Sequence, residues 1–401
     1  MSPVVNAVVS ELSVGEDALA RLATVRSVED LVLGVAQHNG GLDVARLERL
    51  AIIGAAPEGE RLATICRQQG IVIAAIVDDD REKLGRKIGD TTVEASAKLD
   101  GMDRSVPIVI ASHRVLGATQ KLRAKGFSTV LPFAALQILA PQVFPPHMFY
   151  DGWLKDVWEN KDQYRWLGGA LGDDRSRQVL DAVLNYRMSA DPEFLAPALD
   201  KGRHHQGLYH PVGLFECDEH EVYVDAGAFD GDSLTWFKER VANRYDRIIA
   251  FEPDPKTYAR LTKNFIGDNR IQAVNAGLHR KKALLRFRDD ASRGAIFTED
   301  GEISMNVVAL DELLGGERAT FIKMNIEGAE IDALWGAQNT IRLWLPKLAI
   351  SVYHRPTDLW RIPQLVRELS DKYDLFLRQH DGGVIETVLY ATAQPRTHMA
   401  A

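Results

Sequence analysis

The sequence predicts two α/β domains in series, each a mostly parallel sheet flanked by helices, and three observations predict it. At 401 residues with 46% hydrophobic content, the chain is too long for one ordinary core and has enough apolar side chains for two. Short apolar runs alternate with helical periodicity over residues 50–140, and the alternation restarts at Glu221. In both stretches the first strand runs straight into a glycine turn and then a helix.

The elements follow in order. Residues 1–49 read as a helical preface, with Leu19, Leu22 and Val25 and then Leu31, Val32 and Val35 at helical spacing and Asn39-Gly40-Gly41 as the stop. Residues 50–140 form the smaller α/β domain: strands at 50–53, 71–77, 107–111 and 128–132, with helices at 60–69 and 116–125. Residues 141–215 are aromatic-rich (Trp153, Trp158, Tyr164, Trp166), carry an amphipathic helix at 176–186, and read as a helical bridge whose prolines and 201–205 run form loop. Residues 216–393 supply about seven sheet strands, at 222–226, 247–251, 271–276, 321–324, 347–352, 375–379 and 387–391, plus an inserted antiparallel pair at 284–288 and 303–308. Trp335, Trp344 and Trp360 sit at apolar positions and are expected in the core, and the tail 394–401 is expected to be disordered.

Charge and cysteine usage exclude several function classes. A formal charge of -8 offers no general attraction to nucleic acid or to anionic membranes. Two cysteines, Cys66 and Cys217, make neither a disulfide framework nor a cysteine zinc site and are expected to be inert packing residues. The N-terminus lacks a basic segment followed by a long apolar core, and no stretch approaches eighteen uninterrupted apolar residues, so the expected setting is the cytoplasm. His204-His205 are adjacent in a loop and do not face one ion well.

The chemistry is concentrated at strand ends of the second domain. Asp225-Ala226-Gly227-Ala228-Phe229-Asp230-Gly231 lies between a strand and a helix, where ligands of open α/β sheets bind. Gly227 and Gly231 allow close backbone approach, and Asp225 can accept from an amino group. Acids here would repel a dinucleotide pyrophosphate. The next strand ends in Glu252, where a carboxylate can accept from both hydroxyls of a ribose. A glycine bend with one acid, and a second acid one strand later, favour a charged nucleoside ligand.

With the third motif, Phe321-Ile322-Lys323-Met324-Asn325-Ile326-Glu327-Gly328-Ala329-Glu330, the second domain resembles the FkbM family of methyltransferases over Glu221 to Ala391, and Asp173 to Arg177 and Leu184 to Arg187 resemble helices preceding that fold. The resemblance implies a Rossmann-like class I methyltransferase fold, a seven-stranded mostly parallel sheet, preceded here by the smaller Rossmann-like domain and the bridge. It further implies S-adenosylmethionine as cofactor and methyl transfer to oxygen, on a sugar, a nucleotide-sugar or another small metabolite. It carries Asp225, Gly227 and Gly231 to the methionine part, Glu252 to the ribose, and Asn275 or Leu278 to the adenine. Asn325, also assigned to the cofactor site, stands where the family usually has aspartate, which removes a charge. Glu327 is the first candidate to orient or deprotonate the acceptor. His354 and His380, after the fifth and sixth strands, could reach the acceptor as neutral imidazoles. No metal ligand is assigned; a divalent ion held by Glu327, His354 and Glu330 is the minority alternative.

The first domain carries Ile53-Gly54-Ala55-Ala56-Pro57-Glu58-Gly59 and, one strand later, Asp78-Asp79-Asp80. These resemble the nucleotide-binding domain preceding some sugar-modifying acyltransferases, which implies a nucleotide or nucleotide-sugar with Asp78 or Asp79 on a ribose. The alternative is a degenerate fold used for packing or dimerisation, and a homo-oligomer is compatible with either. Two other functions stand beside methyl transfer. One is an NAD-dependent sugar-nucleotide oxidoreductase or epimerase using the first domain, against which the missing third glycine weighs; the other is a non-catalytic binding or assembly module that keeps the fold.

Overall fold

The computed structural model describes residues 17–199, 208–211, 213–290, 294–297 and 303–393; His204-His205 and the tail 394–401 lie outside them. Contacts divide the chain into two compact units, one of residues 1–166, 178–199 and 381–385, the other of residues 167–177, 200–380 and 386–401. The helical stretch between the two sheets is divided, 167–177 counted with the second unit and 178–199 with the first.

The first unit is built on a six-stranded sheet of β1 (Arg49–Ile53), β2 (Val72–Val77), β3 (Lys87–Ile88), β4 (Thr91–Glu94), β5 (Ile108–Ile110) and β6 (Val130–Pro132) in the order β3-β4-β2-β1-β5-β6. All neighbours pair in parallel except β3 with β4. That hairpin is not expected from sequence because its strands are two and four residues long, with the single apolar residues Ile88 and Val93 and no apolar run to mark them. The strands bury Ala51, Val77, Ile108 and Ile110 against Leu99, Leu122 and Phe127.

The second unit holds β7 (Val222–Ala226), β8 (Arg247–Phe251), β9 (Ile271–Val274), β10 (Gly277–Leu278), β11 (Ala283–Asp290), β12 (Gly294–Phe297), β13 (Ile303–Val308), β14 (Phe321–Met324), β15 (Lys347–Ser351), β16 (Tyr373–Gln379) and β17 (Thr387–Ala393). Its main sheet runs β16-β17-β15-β14-β7-β8-β9, seven strands of which only the pairings of β17 are antiparallel. The expected inserted pair is instead a four-stranded sheet, β10-β13-β11-β12. The chain leaves β7 outward through β8 and β9 and returns as β14 on the other side, so the order reverses between β7 and β14. Ligand crevices of doubly wound sheets form at that reversal, outside the carboxyl ends of the strands.

Burial explains why the sheet stands. All four side chains of β14 are buried, and Tyr223 of β7 stacks on Phe237 of the helix Asp232–Arg240 at 4.4 Å, with Phe321 5.0 Å from the Tyr223 ring. Trp344 departs from expectation: it ends a short helix whose following residue, Leu345, turns left-handed, and it is exposed. Trp335 and Trp360 are half-buried. Cys66 is buried and Cys217 half-buried, and burial pushes each thiol up to about 12, which agrees with an inert role. No helix among the described residues is long and apolar enough to cross a membrane.

In the first unit the glycine turn has its expected backbone: Gly54 has φ +102°, and a Cβ at Gly59 would collide with the Gly54 carbonyl. Its acids are already engaged, however. Asp78 accepts the Ala55 N–H at 2.8 Å and pairs with Lys83 at 3.2 Å, and Asp79 accepts the Ser96 N–H at 2.9 Å. Both carboxylates thus brace loops within the unit.

Because Phe237 is fully buried against Tyr223 of β7, Phe237→Ala is expected to destabilise the second unit by about 3–5 kcal/mol. Urea unfolding followed by tyrosine and tryptophan fluorescence measures it, and a loss below about 1 kcal/mol contradicts this account of the core.

Candidate active site

At the β7–β14 reversal, register places Lys323 directly beside Asp225 and Met324 beside Ala226. The two charged side chains are buried together, Lys323 Nζ to Asp225 Oδ1 at 2.8 Å. Nζ also donates to the Gly227 carbonyl at 2.8 Å, while Asp225 Oδ2 accepts from Ser233 Oγ at 2.5 Å and Tyr223 Oη at 3.2 Å. Asp225, expected at the methionine part of the cofactor, has its carboxylate hydrogen-bonded to lysine, serine and tyrosine at this turn. What it holds is the turn. Gly227 has φ +81°, and any Cβ there would collide with the Asn325 carbonyl; at Gly231, φ +93°, a Cβ would collide with the Phe265 ring. These glycines let two strand ends and a helix close on one another.

Glu252 faces this turn from the end of β8. Its Oε2 accepts the Phe229 N–H at 3.0 Å and its Oε1 the Asp254 N–H at 2.9 Å. Burial pushes its carboxyl up to about 7, more than the two amide bonds hold it down. Asn275 Nδ2 donates to the Glu252 and Pro253 carbonyls at 2.9 and 3.2 Å, so its amide braces the acidic loop; Leu278 is buried in β10. Phe229, which the sequence reading passed over, is an exposed aromatic with a left-handed φ of +50° and the Arg260 guanidinium 5.2 Å from its ring. A large apolar side chain held outward beside a carboxylate is a ready flank for a planar ligand.

Across the reversal, Asn325 donates from Nδ2 to Tyr209 Oη at 2.9 Å and accepts from Tyr353 Oη at 3.3 Å. An amide serves one partner as donor and the other as acceptor, which gives the departure from aspartate a local cause. Tyr209 comes from residues 208–211, far upstream in sequence; its ring lies 5.1 Å from Lys323 Nζ and its N–H donates to Tyr390 Oη at 3.0 Å. His380 joins the same network, Nε2 2.9 Å from Tyr390 Oη. His380, expected from sequence to reach the acceptor, is buried within this network. Glu386, also unanticipated, has a left-handed φ of +66°, and its charge bears on both Tyr209 and Tyr353.

The remaining cluster follows β14. Glu327 has φ +56°, and its half-exposed carboxylate lies 3.7 Å from Nε2 of His354. On the far edge of that ring, Nδ1 is 2.9 Å from Glu330 Oε1, and His354 and Glu330 are both buried. Donor atoms of Glu330, His354 and Asp358 lie within 4.8 Å of one another, close enough to share a divalent ion. Burial works against charge on the ring, but the charges of Glu330 and Glu327 prevail and lift His354 to about 9. The sequence expects a neutral imidazole here; the surrounding carboxylates favour the charged ring. Tertiary contact with Glu330 and Asp358, invisible in a linear reading, is the reason.

Residues 225–381 match the family model of the methyltransferase FkbM domain. The hexuronic acid methyltransferase AglP of Haloferax volcanii is 27% identical over 137 residues, 32% of this chain and 55% of that protein, so the match spans little more than half the length of the relative. The crystal structure of methyltransferase FkbM from Methylobacillus flagellatus KT aligns with a TM-score of 0.71 and 26% identity over 93% of this chain and 97% of the other.

Two outcomes test the geometry. Gly227→Ala adds a Cβ against the Asn325 carbonyl at a left-handed φ and should cost more than about 2 kcal/mol of stability, read by thermal unfolding. Glu252 has a folded pKa of about 7 against an ordinary 4.5, so the stability its protonated form supplies is complete below about pH 4.5 and lost as pH rises through 7. Glu252→Gln should therefore gain on the order of 1 kcal/mol over the parent at pH 8 and little at pH 4.5. Parallel stability curves for the two proteins across that range would contradict the assignment.

Proposed function

Residues 225–381 carry a methyltransferase FkbM domain, and from that premise we propose that the chain transfers a methyl group from S-adenosylmethionine to a hydroxyl of a sugar, a nucleotide-sugar or another small metabolite. The observation that carries the proposal is the pairing of a glycine turn, closed so tightly that a Cβ at Gly227 would strike Asn325, with the Glu252 carboxylate hydrogen-bonded to the same turn from the neighbouring strand. Those residues fit the cofactor: the side-chain-free turn gives the methionine end room to approach, and Glu252 offers acceptors for ribose hydroxyls. Bound S-adenosylmethionine would supply an already activated methyl on a sulfonium.

The protein's share is then placement. Asp225 and Lys323 hold the turn, Asn275 braces the Glu252 loop, Phe229 flanks it, and the acids and tyrosines across the reversal face the acceptor. Holding nucleophile and methyl in line and excluding water supplies most of such a rate. The hexuronic acid in the name of AglP supports a sugar as acceptor class.

Calorimetry with S-adenosylhomocysteine should give one site per chain, weakened at least tenfold in Glu252→Ala. An absence of binding by the folded parent ends this reading. Radiolabelled methyl transfer to a panel of glucuronosides and neutral glycosides then identifies the acceptor, and labelling that persists in Glu252→Ala at the parent rate contradicts the site.

A further inference from the structure

The loops that follow the parallel strands of the second unit carry one lysine or arginine between them, and it is Arg355. Those loops are 227–231 after β7, 252–254 after β8, 275–276 after β9, 325–329 after β14 and 352–357 after β15. Asp230, Glu252, Asp254 and Glu327 lie in the same loops, so this edge of the sheet is acidic. Acids suit a sulfonium, but they repel an anion unless a cation is set among them. We propose that Arg355 is a specificity-determining residue that receives the acceptor by an anionic oxygen pair, the carboxylate of an acidic sugar or the phosphate of a nucleotide-sugar. The proposal rests on the methyl-transfer reading above.

The guanidinium stands on a fixed base with an uncommitted head. Arg355 N–H donates to Asp358 Oδ2 at 2.8 Å, Asp358 N–H donates to the Arg355 carbonyl at 3.0 Å, and Pro356 follows with its restricted φ. Val352, Tyr353 and His354 before it are buried, whereas Arg355 is exposed. Among the described residues no ion pair or side-chain hydrogen bond engages its guanidinium, although Arg247, Arg270, Arg280 and Arg378 of the same unit each have a carboxylate partner. A ligand arriving at Arg355 therefore displaces water and breaks no internal pair.

Its position is on the acceptor side. β15 lies beside β14 with Ile350 in register with Met324, and His354, the residue before Arg355, has its Nε2 3.7 Å from the Glu327 carboxylate. The glycine turn belongs to β7, the neighbour of β14 on its other side. Arg355 thus sits away from the cofactor turn and next to the acids proposed to face the acceptor. A planar guanidinium meets two oxygens of a carboxylate or phosphate with two parallel N–H bonds, which fixes a sugar by one corner and leaves its hydroxyls to be presented to the methyl. A neutral glycoside offers no such pair, and an anion at Glu327 without Arg355 meets like charge.

The test is calorimetry on the protein saturated with S-adenosylhomocysteine, using methyl glucoside, methyl glucuronoside and UDP-glucose as probes. At least one anionic probe should bind about tenfold or more tighter than methyl glucoside; preference for the glucuronoside identifies a carboxylate, and preference for UDP-glucose a phosphate. R355A should lower that preference by about tenfold or more, and R355K should keep part of it, because lysine restores the charge without the planar fork. Raising the salt should erode the preference in the parent. In methyl transfer to the preferred probe, the R355A loss should fall on KM by about tenfold or more and exceed any loss in kcat. Both variants should bind S-adenosylhomocysteine within about threefold of the parent, which separates lost recognition from lost folding. A parent without preference for either anionic probe, an R355A protein that keeps the preference, or a loss in R355A that falls equally on neutral and anionic probes overturns the proposal. Failure of the parent to bind S-adenosylhomocysteine ends the methyl-transfer reading, whereas binding without an Arg355-dependent preference ends this proposal alone, so the two failures are distinguishable.

Discussion

The second unit depends on a pair of charges buried between two adjacent strands. Lys323 and Asp225 lie side by side in register, with almost no exposed surface, at the point where the sheet reverses its order. Neither could be buried alone, since an unpaired charge in such a place costs several kcal/mol. Together they also use their remaining hydrogen-bonding capacity locally, Lys323 on the Gly227 carbonyl and Asp225 on Ser233 and Tyr223. The pair thereby locks the glycine turn of β7 to the end of β14. Every group proposed to touch a ligand is placed relative to that joint.

The crevice has two chemically different sides. On one, Glu252 stands against backbone amides beside an exposed aromatic, an arrangement suited to a ribose and a planar base. On the other, Glu327, Glu330, Asp358 and Glu386 gather around one histidine and two tyrosines. Left-handed backbone at Phe229, Glu327 and Glu386, three residues with side chains, occurs on both sides. Such strain persists only where surrounding structure over-determines it, here the glycine turn, the Glu330–His354 cluster and the antiparallel return of β17.

The first unit repeats the architecture without repeating the chemistry. It too has a glycine turn after its first strand and acids after its second, and a close approach of Gly59 to Gly54. Yet Asp78 reaches back to the Ala55 amide and to Lys83, tying the turn shut with its own side chain. In the second unit the corresponding acid, Glu252, is buried, without a lysine partner among its described bonds, and carries a raised pKa. The same fold pairs an acid with a lysine in one place and buries one against backbone amides in the other, which is why function has to be argued from the site.

The sequence by itself determined the two α/β domains, the strands that carry the motifs, and the glycine turn with Glu252 one strand later, because period-2 and period-3.6 patterns and turn chemistry are local properties of the chain. Elements too short to show a period, β3, β4 and β12, left no such trace. Only the tertiary structure decided what the polar residues do. It brought Lys323 to Asp225, Tyr209 to Asn325, Tyr390 to His380, and Asp358 to Glu330 and His354. Those encounters set the surroundings of each candidate residue, for charge state and hydrogen-bond capacity are set by neighbours in space, and most of these neighbours are distant in sequence.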